Sequence, residues 1–256
     1  MVSKSPIICT QTGKQEEWLW KMYADAMDGM HSQLLQQNCP DMMYVADLKG
    51  PGRLEHKMDH LACFLPGLLA LGVAHRPDAP NAARDLKTAE GLMDTCIRMY
   101  SQQATGVAAE YVRFDAGRCS MSNGANHNLQ RPETVESLMY LWRVTKNRKW
   151  RDAGWAMMQA FDRCCKIPSG GYVGLRDVTN INSPKDDTQQ SFWLAETLKY
   201  LYLLFSPDEV VPLDKYVFNT EAHPVLTWPA GGPGATGRRR ALENVLRAAS
   251  INTSQW

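Results

Sequence analysis

The stretch TQQSFWLAETLKYLYLLF, residues Thr188–Phe205, decides the fold class. Its apolar residues fall at every helical phase rather than on one stripe, which reads as a helix buried nearly all round. Its one acid, Glu196, stands a turn from Phe192 and Tyr200 with hardly a polar neighbour. A buried ionised carboxylate is costly unless paired or bound. Glu196 therefore either pairs with Lys199 or faces inward as a site carboxylate.

Working outward, helical periodicity dominates the chain. Leu19, Met22, Ala26 and Met30 mark a helix over 16–35, and a second runs over 79–102. A third begins at Arg131, where Pro132 suits a first helical position, with Val135, Leu138, Met139 and Trp142 as its stripe. Trp150, Ala153, Met157, Phe161 and Cys164 repeat the pattern. An apolar helical stretch over 58–74 is interrupted by Pro66-Gly67, so it is bent or split there. Between the helices lie strand-like pieces: EYVRFD, PSGGYVGLRDV and KYVFNTEAHP. Long helices with brief hairpins indicate an all-α architecture of packed helical hairpins. No fixed-length repeat supports a solenoid. Residues 1–228 are expected to form the folded portion, and the Gly/Pro-rich 229–256, with RRR at 238–240, a disordered tail.

At 256 residues the chain can bury a substantial core, and its net charge of +1 argues against a nucleic-acid or acidic-membrane partner. No apolar run reaches the length of a membrane span, and the first residues lack the apolar region of a signal peptide. None of the seven cysteines forms a CxxC pair, which argues against a zinc site; most read as small buried hydrophobes.

The acids are the informative residues. Glu133 and Glu136 lie three apart, on one face near a helix start, where acids also complement the helix dipole. Arg131 beside them could hold a sugar hydroxyl or one of these carboxylates. Asp59-His60 open another apolar helix, and Asp is a common cap. VFNTEAHP, residues 217–224, reads either as a polar turn or as an oxygen set of the kind hard cations prefer. Helix starts thus repeatedly bring acids and an imidazole to one rim, as in a carboxylate-lined α/α toroid.

HKMDHLACFLPG, LQRPETVESLMYLWRVT, QQSFWLAETLKYLYLLF and PLDKYVFNTEAHP, in this order, closely resemble glycoside hydrolase family 47, the class I α-1,2-mannosidases that trim high-mannose N-glycans. The resemblance runs from about Thr12 to Pro224. It implies an (α/α)7 barrel, bound Ca2+ and inverting hydrolysis, which uses one acid and one water-activating carboxylate about 6.5–9.5 Å apart. By the same resemblance Glu133 is the base-side carboxylate and His60 a catalytic neighbour. Arg131, Glu136, Asp59, Phe192, Glu196 and Glu221 line the mannose pocket, with Phe192 under the sugar ring. Thr220 is the calcium ligand, and Cys63 and Cys96 form a disulfide. A lumen of the secretory pathway, endoplasmic reticulum or Golgi, follows from the family, with any membrane attachment through an N-terminal anchor outside this sequence.

Two departures stand against the family pattern. A segment expected as GLSPE is GVAAE (106–110), which keeps Glu110 but loses the rigid turn. The TGKQEEWLWKMYADAMDG stretch resembles the middle of the family's catalytic domain, so about half the ring, with the general acid, is expected to be missing. That implies exposed apolar flanks, little hydrolysis by this chain alone, and an alternative as a glycan-binding pseudoenzyme fragment.

Overall fold

The computed structural model describes residues 17–115 and 117–228, in two compact units. The expected tail at 229–256 lies outside the described residues.

The larger unit covers Asp28–Val210. It takes in the end of α1 (Glu17–Gln33), the hairpins β1–β2 (Leu35–Cys39, Met42–Val45) and β3–β4 (Asp47–Gly50, Arg53–Glu55), and β5 (Lys57–Asp59). A 3-10 turn, His60–Phe64, leads into α2 (Leu65–His75), and α3 (Ala82–Ser101) follows. Next come β6 (Tyr111–Phe114), β7 (Met121–Ala125), α4 (Glu133–Thr145) and α5 (Lys149–Cys164). A π-helical segment, Trp193–Leu198, runs straight into α6 (Lys199–Phe205). Strands β5, β6 and β7 form one antiparallel sheet in that order. The chain is thus largely helical with short hairpins, as the periodicity implies.

The core of this unit is where α2, α3, α4 and α6 meet. Leu68, Leu69, Met93, Leu138, Met139, Leu141 and Leu204 are buried there. One contact sets the closeness of α2 and α4. Gly67 has no side chain, and a Cβ at its position would lie 2.9 Å from Ser137 Cα and 3.0 Å from the Tyr140 ring. Ser137 fills the gap with its hydroxyl, which accepts from Gly67 N at 2.9 Å and donates to Cys63 O at 2.5 Å. The expected break at Pro66-Gly67 is therefore a junction: Pro66 occupies the first turn of α2, where its missing N–H costs nothing.

Three expectations are corrected. The helix over 188–205 is not buried all round: Leu194 and Tyr202 are 60% and 65% exposed and Phe205 is also open. Only the opposite face, with Trp193, Thr197, Tyr200, Leu201 and Leu204, packs inward. PSGGYVGLRDV is not a strand; it makes isolated bridges, Lys166 with Tyr172 and Leu175 with Asn128 and Lys185. Its paired glycines, Gly170 and Gly171, have φ of 95° and 97°, which breaks an extended run. Asp59 does not cap the following turn; its carboxylate pairs with Lys57 Nζ at 2.9 Å instead.

Two disulfides are present among the described residues. Cys63–Cys96 ties the 3-10 turn to α3, as the resemblance implies, and Cys39–Cys119 joins two hairpins 80 residues apart. Cys164 and Cys165 are free and buried, and burial, with Cys164 adjacent, pushes the Cys165 thiol up to about 12. Both are small core residues, and Cys165 is held as the thiol.

The smaller unit contains residues 17–27 and 211–228 among those described. Leu19, Tyr23 and Met27 form the buried side of its helical part. Strands β8 (Tyr216–Phe218) and β9 (Pro224–Leu226) pair antiparallel and present the NTEAH loop between them.

Candidate active site

Three elements of the larger unit converge on one buried imidazole. His60 opens the 3-10 turn, anchored by its own amide, which donates to Glu110 O at 2.8 Å. Glu133 is the first residue of α4, so its side chain meets the turn from the helix start. His60 Nδ1 lies 2.9 Å from Glu133 Oε2, and the His60 side chain is 1% exposed against 15% for Glu133. Burial alone would raise the Glu133 carboxyl, but the His60 hydrogen bond, its own helix-start amide and Arg131 outweigh this and hold it below the ordinary carboxylate value. Glu133 is thus a largely desolvated carboxylate that stays ionised. That combination suits accepting a proton from water.

Arg131 is fixed two residues earlier. Its Nε donates to Glu110 Oε2 at 2.5 Å, while Glu110 Oε1 accepts from Leu129 N at 2.9 Å. Glu110 is therefore a brace shared by backbone and guanidinium, and it survives without the turn the family pattern places before it. The Arg131 guanidinium stands 6.0 Å from the Phe192 ring, at the edge of cation–π range. Phe192 immediately precedes the π-helical segment, a geometry frequent at functional sites. The arginine thus leaves its fork between an acid and an aromatic face, a setting suited to a sugar hydroxyl.

Glu136, one turn into α4, is buried and accepts from Tyr200 Oη at 2.8 Å. Burial and this carboxylate together push the Tyr200 phenol well up, so Tyr200 remains a donor. Glu196 is half-buried within the π segment and close enough to Tyr200 to act on it. Glu133, His60, Arg131 and Phe192 are thus one connected cluster. Asp59 sits at its edge, near enough to act on Arg131, while Glu136 takes the phenol of Tyr200 and Glu196 acts on it by charge.

Thr220 and Glu221 are described within the smaller unit. Both are exposed in the β8–β9 loop. Asn219 organises that loop: its Oδ1 accepts from Glu221 N at 3.0 Å and from His223 N at 2.9 Å, and Ala222 takes φ of 56°. The Asn is thus turn chemistry. Among the described residues Thr220 has no hydrogen-bond partner, so its two oxygens stay free, a donor chemistry that fits a hard cation. No group of three or more His, Cys, Asp or Glu able to hold a metal occurs among the described residues.

Sequence reasoning passed over Tyr100 and Thr134, whose hydroxyls reach the far nitrogen of His60 at 2.8 and 3.1 Å. Tyr100 reads in sequence as one more apolar position of α3. The one available signal is the Thr that follows Glu133.

A buried imidazole–carboxylate pair beside an arginine and an aromatic ring, at helix starts, is a setting able to hold a sugar and activate water beside it. Residues 6–227 match the model of glycosyl hydrolase family 47, and the chain belongs to that family. The rat endoplasmic reticulum mannosyl-oligosaccharide 1,2-alpha-mannosidase is 46% identical over 226 residues, covering 85% of this chain and 34% of that protein. The pig mannosyl-oligosaccharide 1,2-alpha-mannosidase IA is 42% identical over 207 residues, with 80% and 31% covered. Among solved structures, the alpha-1,2-mannosidase from Trichoderma reesei superposes with a TM-score of 0.78 at 26% identity, covering 89% of this chain and 52% of that one. The chain spans about a third of the length of these curated relatives.

Proposed function

We propose that the protein is a mannosyl-oligosaccharide 1,2-α-mannosidase that removes terminal α-1,2-linked mannose from high-mannose N-glycans, with this chain forming the base side of its pocket within an (α/α)7 barrel. The observation that carries the reading is Glu133, an ionised carboxylate held in a desolvated site by a buried histidine. In this account Glu133 takes a proton from the attacking water as it reaches the anomeric carbon from the face opposite the leaving oxygen, which inverts the configuration. Arg131 and Phe192 orient the sugar, one by hydrogen bonds to hydroxyls and the other by its ring face. Glu136, Glu196 and Asp59 complete the acceptors around it within the larger unit. Thr220 would hold Ca2+ through its hydroxyl and carbonyl, and the ion, when bound, supplies oxygen-ligand sites for sugar hydroxyls. The general acid is assigned to no residue of this chain. The two disulfides and the endoplasmic reticulum relatives favour the lumen of the secretory pathway.

A second reading, a glycan-binding module without turnover, would use the same Arg131–Phe192 setting to hold a sugar. Incubation with an α-1,2-linked high-mannose oligosaccharide in calcium separates the two. Mannose release that Glu133→Gln abolishes supports the enzyme, and retention without release supports the module. Neither release nor retention refutes both.

A further inference from the structure

His60 is gripped at both ring nitrogens. Nδ1 faces Glu133 Oε2 at 2.9 Å, while Nε2 faces Tyr100 Oη at 2.8 Å and Thr134 Oγ1 at 3.1 Å. His60, Tyr100 and Thr134 are 1%, 2% and 0% exposed, so water does not compete for these contacts. The Thr134 hydroxyl also acts on the Tyr100 phenol. Phe161 packs edge-on against the Tyr100 ring, with centroids 6.3 Å apart.

A neutral imidazole has one N–H and one lone pair, whereas an ionised carboxylate only accepts. With Glu133 ionised, the proton must sit on Nδ1 and the lone pair on Nε2. One hydroxyl can donate to that lone pair. Tyr100 is the nearer, and burial pushes its phenol well above the ordinary value, so it keeps the proton it donates. Thr134, the farther hydroxyl, backs it on the same nitrogen.

We propose that Tyr100, backed by Thr134, is a positioning residue that locks His60 as the Nδ1–H tautomer and so keeps the imidazole proton on Glu133. Without the phenol, the ring can turn its proton to Nε2 and donate to Thr134. A lone pair would then face the Glu133 carboxylate, which must take up a proton or swing away. Either outcome removes the water-activating group. The catalytic consequence rests on the role proposed for Glu133; the tautomer does not.

The test is the ring-nitrogen NMR spectrum of the 15N-labelled 256-residue chain, with His60 assigned by the signals lost in His60→Gln. The expected spectrum has a pyrrole-type Nδ1 and a pyridine-type Nε2. In Tyr100→Phe, the Nε2 signal should shift towards pyrrole type and the Nδ1 signal the opposite way. A pyrrole-type Nε2 in the unaltered chain, or unmoved ring signals in a folded Tyr100→Phe, overturns the proposal. Should Tyr100→Phe not fold, 3-fluorotyrosine incorporation makes the phenol a stronger donor without removing it. Nε2 should then shift with Nδ1 nearly still, and an unmoved Nε2 overturns the proposal equally. A tautomer that changes while mannose release persists would count against Glu133 and leave the lock intact.

Discussion

Replacing Gly67 with alanine should both destabilise the chain and loosen its site. The added methyl would lie 2.9 Å from Ser137 Cα and 2.8 Å from Ser137 Oγ. Carbon atoms in contact prefer about 3.5–4.0 Å, so α2 and α4 must part by more than half an ångström. Overpacking of this kind costs about 1–3 kcal/mol. The shift also stretches the two buried bonds that Ser137 makes, to Gly67 N and Cys63 O, each contributing about 1 kcal/mol. A loss of about 3 kcal/mol is expected, or roughly 6–12 °C in melting temperature for a chain this size. Ser137→Ala isolates the polar part and should cost about 1–3 kcal/mol, since it leaves a buried N–H and C=O unmet. Because α2 continues from the turn bearing His60, and α4 begins with Glu133, the Gly67→Ala change should also move the His60 Nδ1 signal. Circular-dichroism melts and the ring-nitrogen spectrum read the two effects. A Gly67→Ala chain within about 0.5 kcal/mol of the parent would refute the packing argument.

Three further outcomes follow from the same contacts. In the chain-entropy model, losing Cys39–Cys119 should cost up to about 4.5 kcal/mol and losing Cys63–Cys96 about 3.7, from their separations of 80 and 33 residues; urea unfolding of the paired alanine variants checks the order. Because the Glu133 carboxyl is held below 4.5 in the fold, it stabilises the protein above that pH and loses the contribution as pH falls through its folded value; Glu133→Gln should flatten the acid limb of a stability–pH curve, and an unchanged limb would contradict this. Arg131→Lys keeps the charge but cannot both bond Glu110 and lie over Phe192; it should cost about 1–2 kcal/mol in urea unfolding and weaken glycan retention, while full retention would remove Arg131 from the sugar site.

Much of this was legible because helices carry a strong periodic signal. Val135, Leu138 and Met139 mark α4, and Trp150, Met157 and Phe161 mark α5; all six are buried. The hairpins over 35–55 were not read, although NCPD and KGPG are ordinary turn sequences, because their strands are only three to five residues long. Apolar content misled at Leu194 and Tyr202, since hydrophobicity gives a face and not what covers it. The pairing of Cys39 with Cys119 depends on how two distant hairpins come together, which no local pattern encodes. Glu133, His60 and Arg131 were found as residue types near helix starts. Their pairing was not, because His60 and Glu133 stand 73 residues apart and meet directly, while the hydroxyls of Tyr100 and Thr134 reach the ring from α3 and α4.

The most direct test of the central claim is to immobilise the chain in calcium buffer, pass an α-1,2-linked high-mannose N-glycan over it, and assay both retained glycan and released mannose. The account expects the glycan to be retained, with retention falling sharply in Phe192→Ala and Arg131→Ala, and any mannose released to vanish in Glu133→Gln. A folded chain that neither holds nor trims this glycan would contradict it.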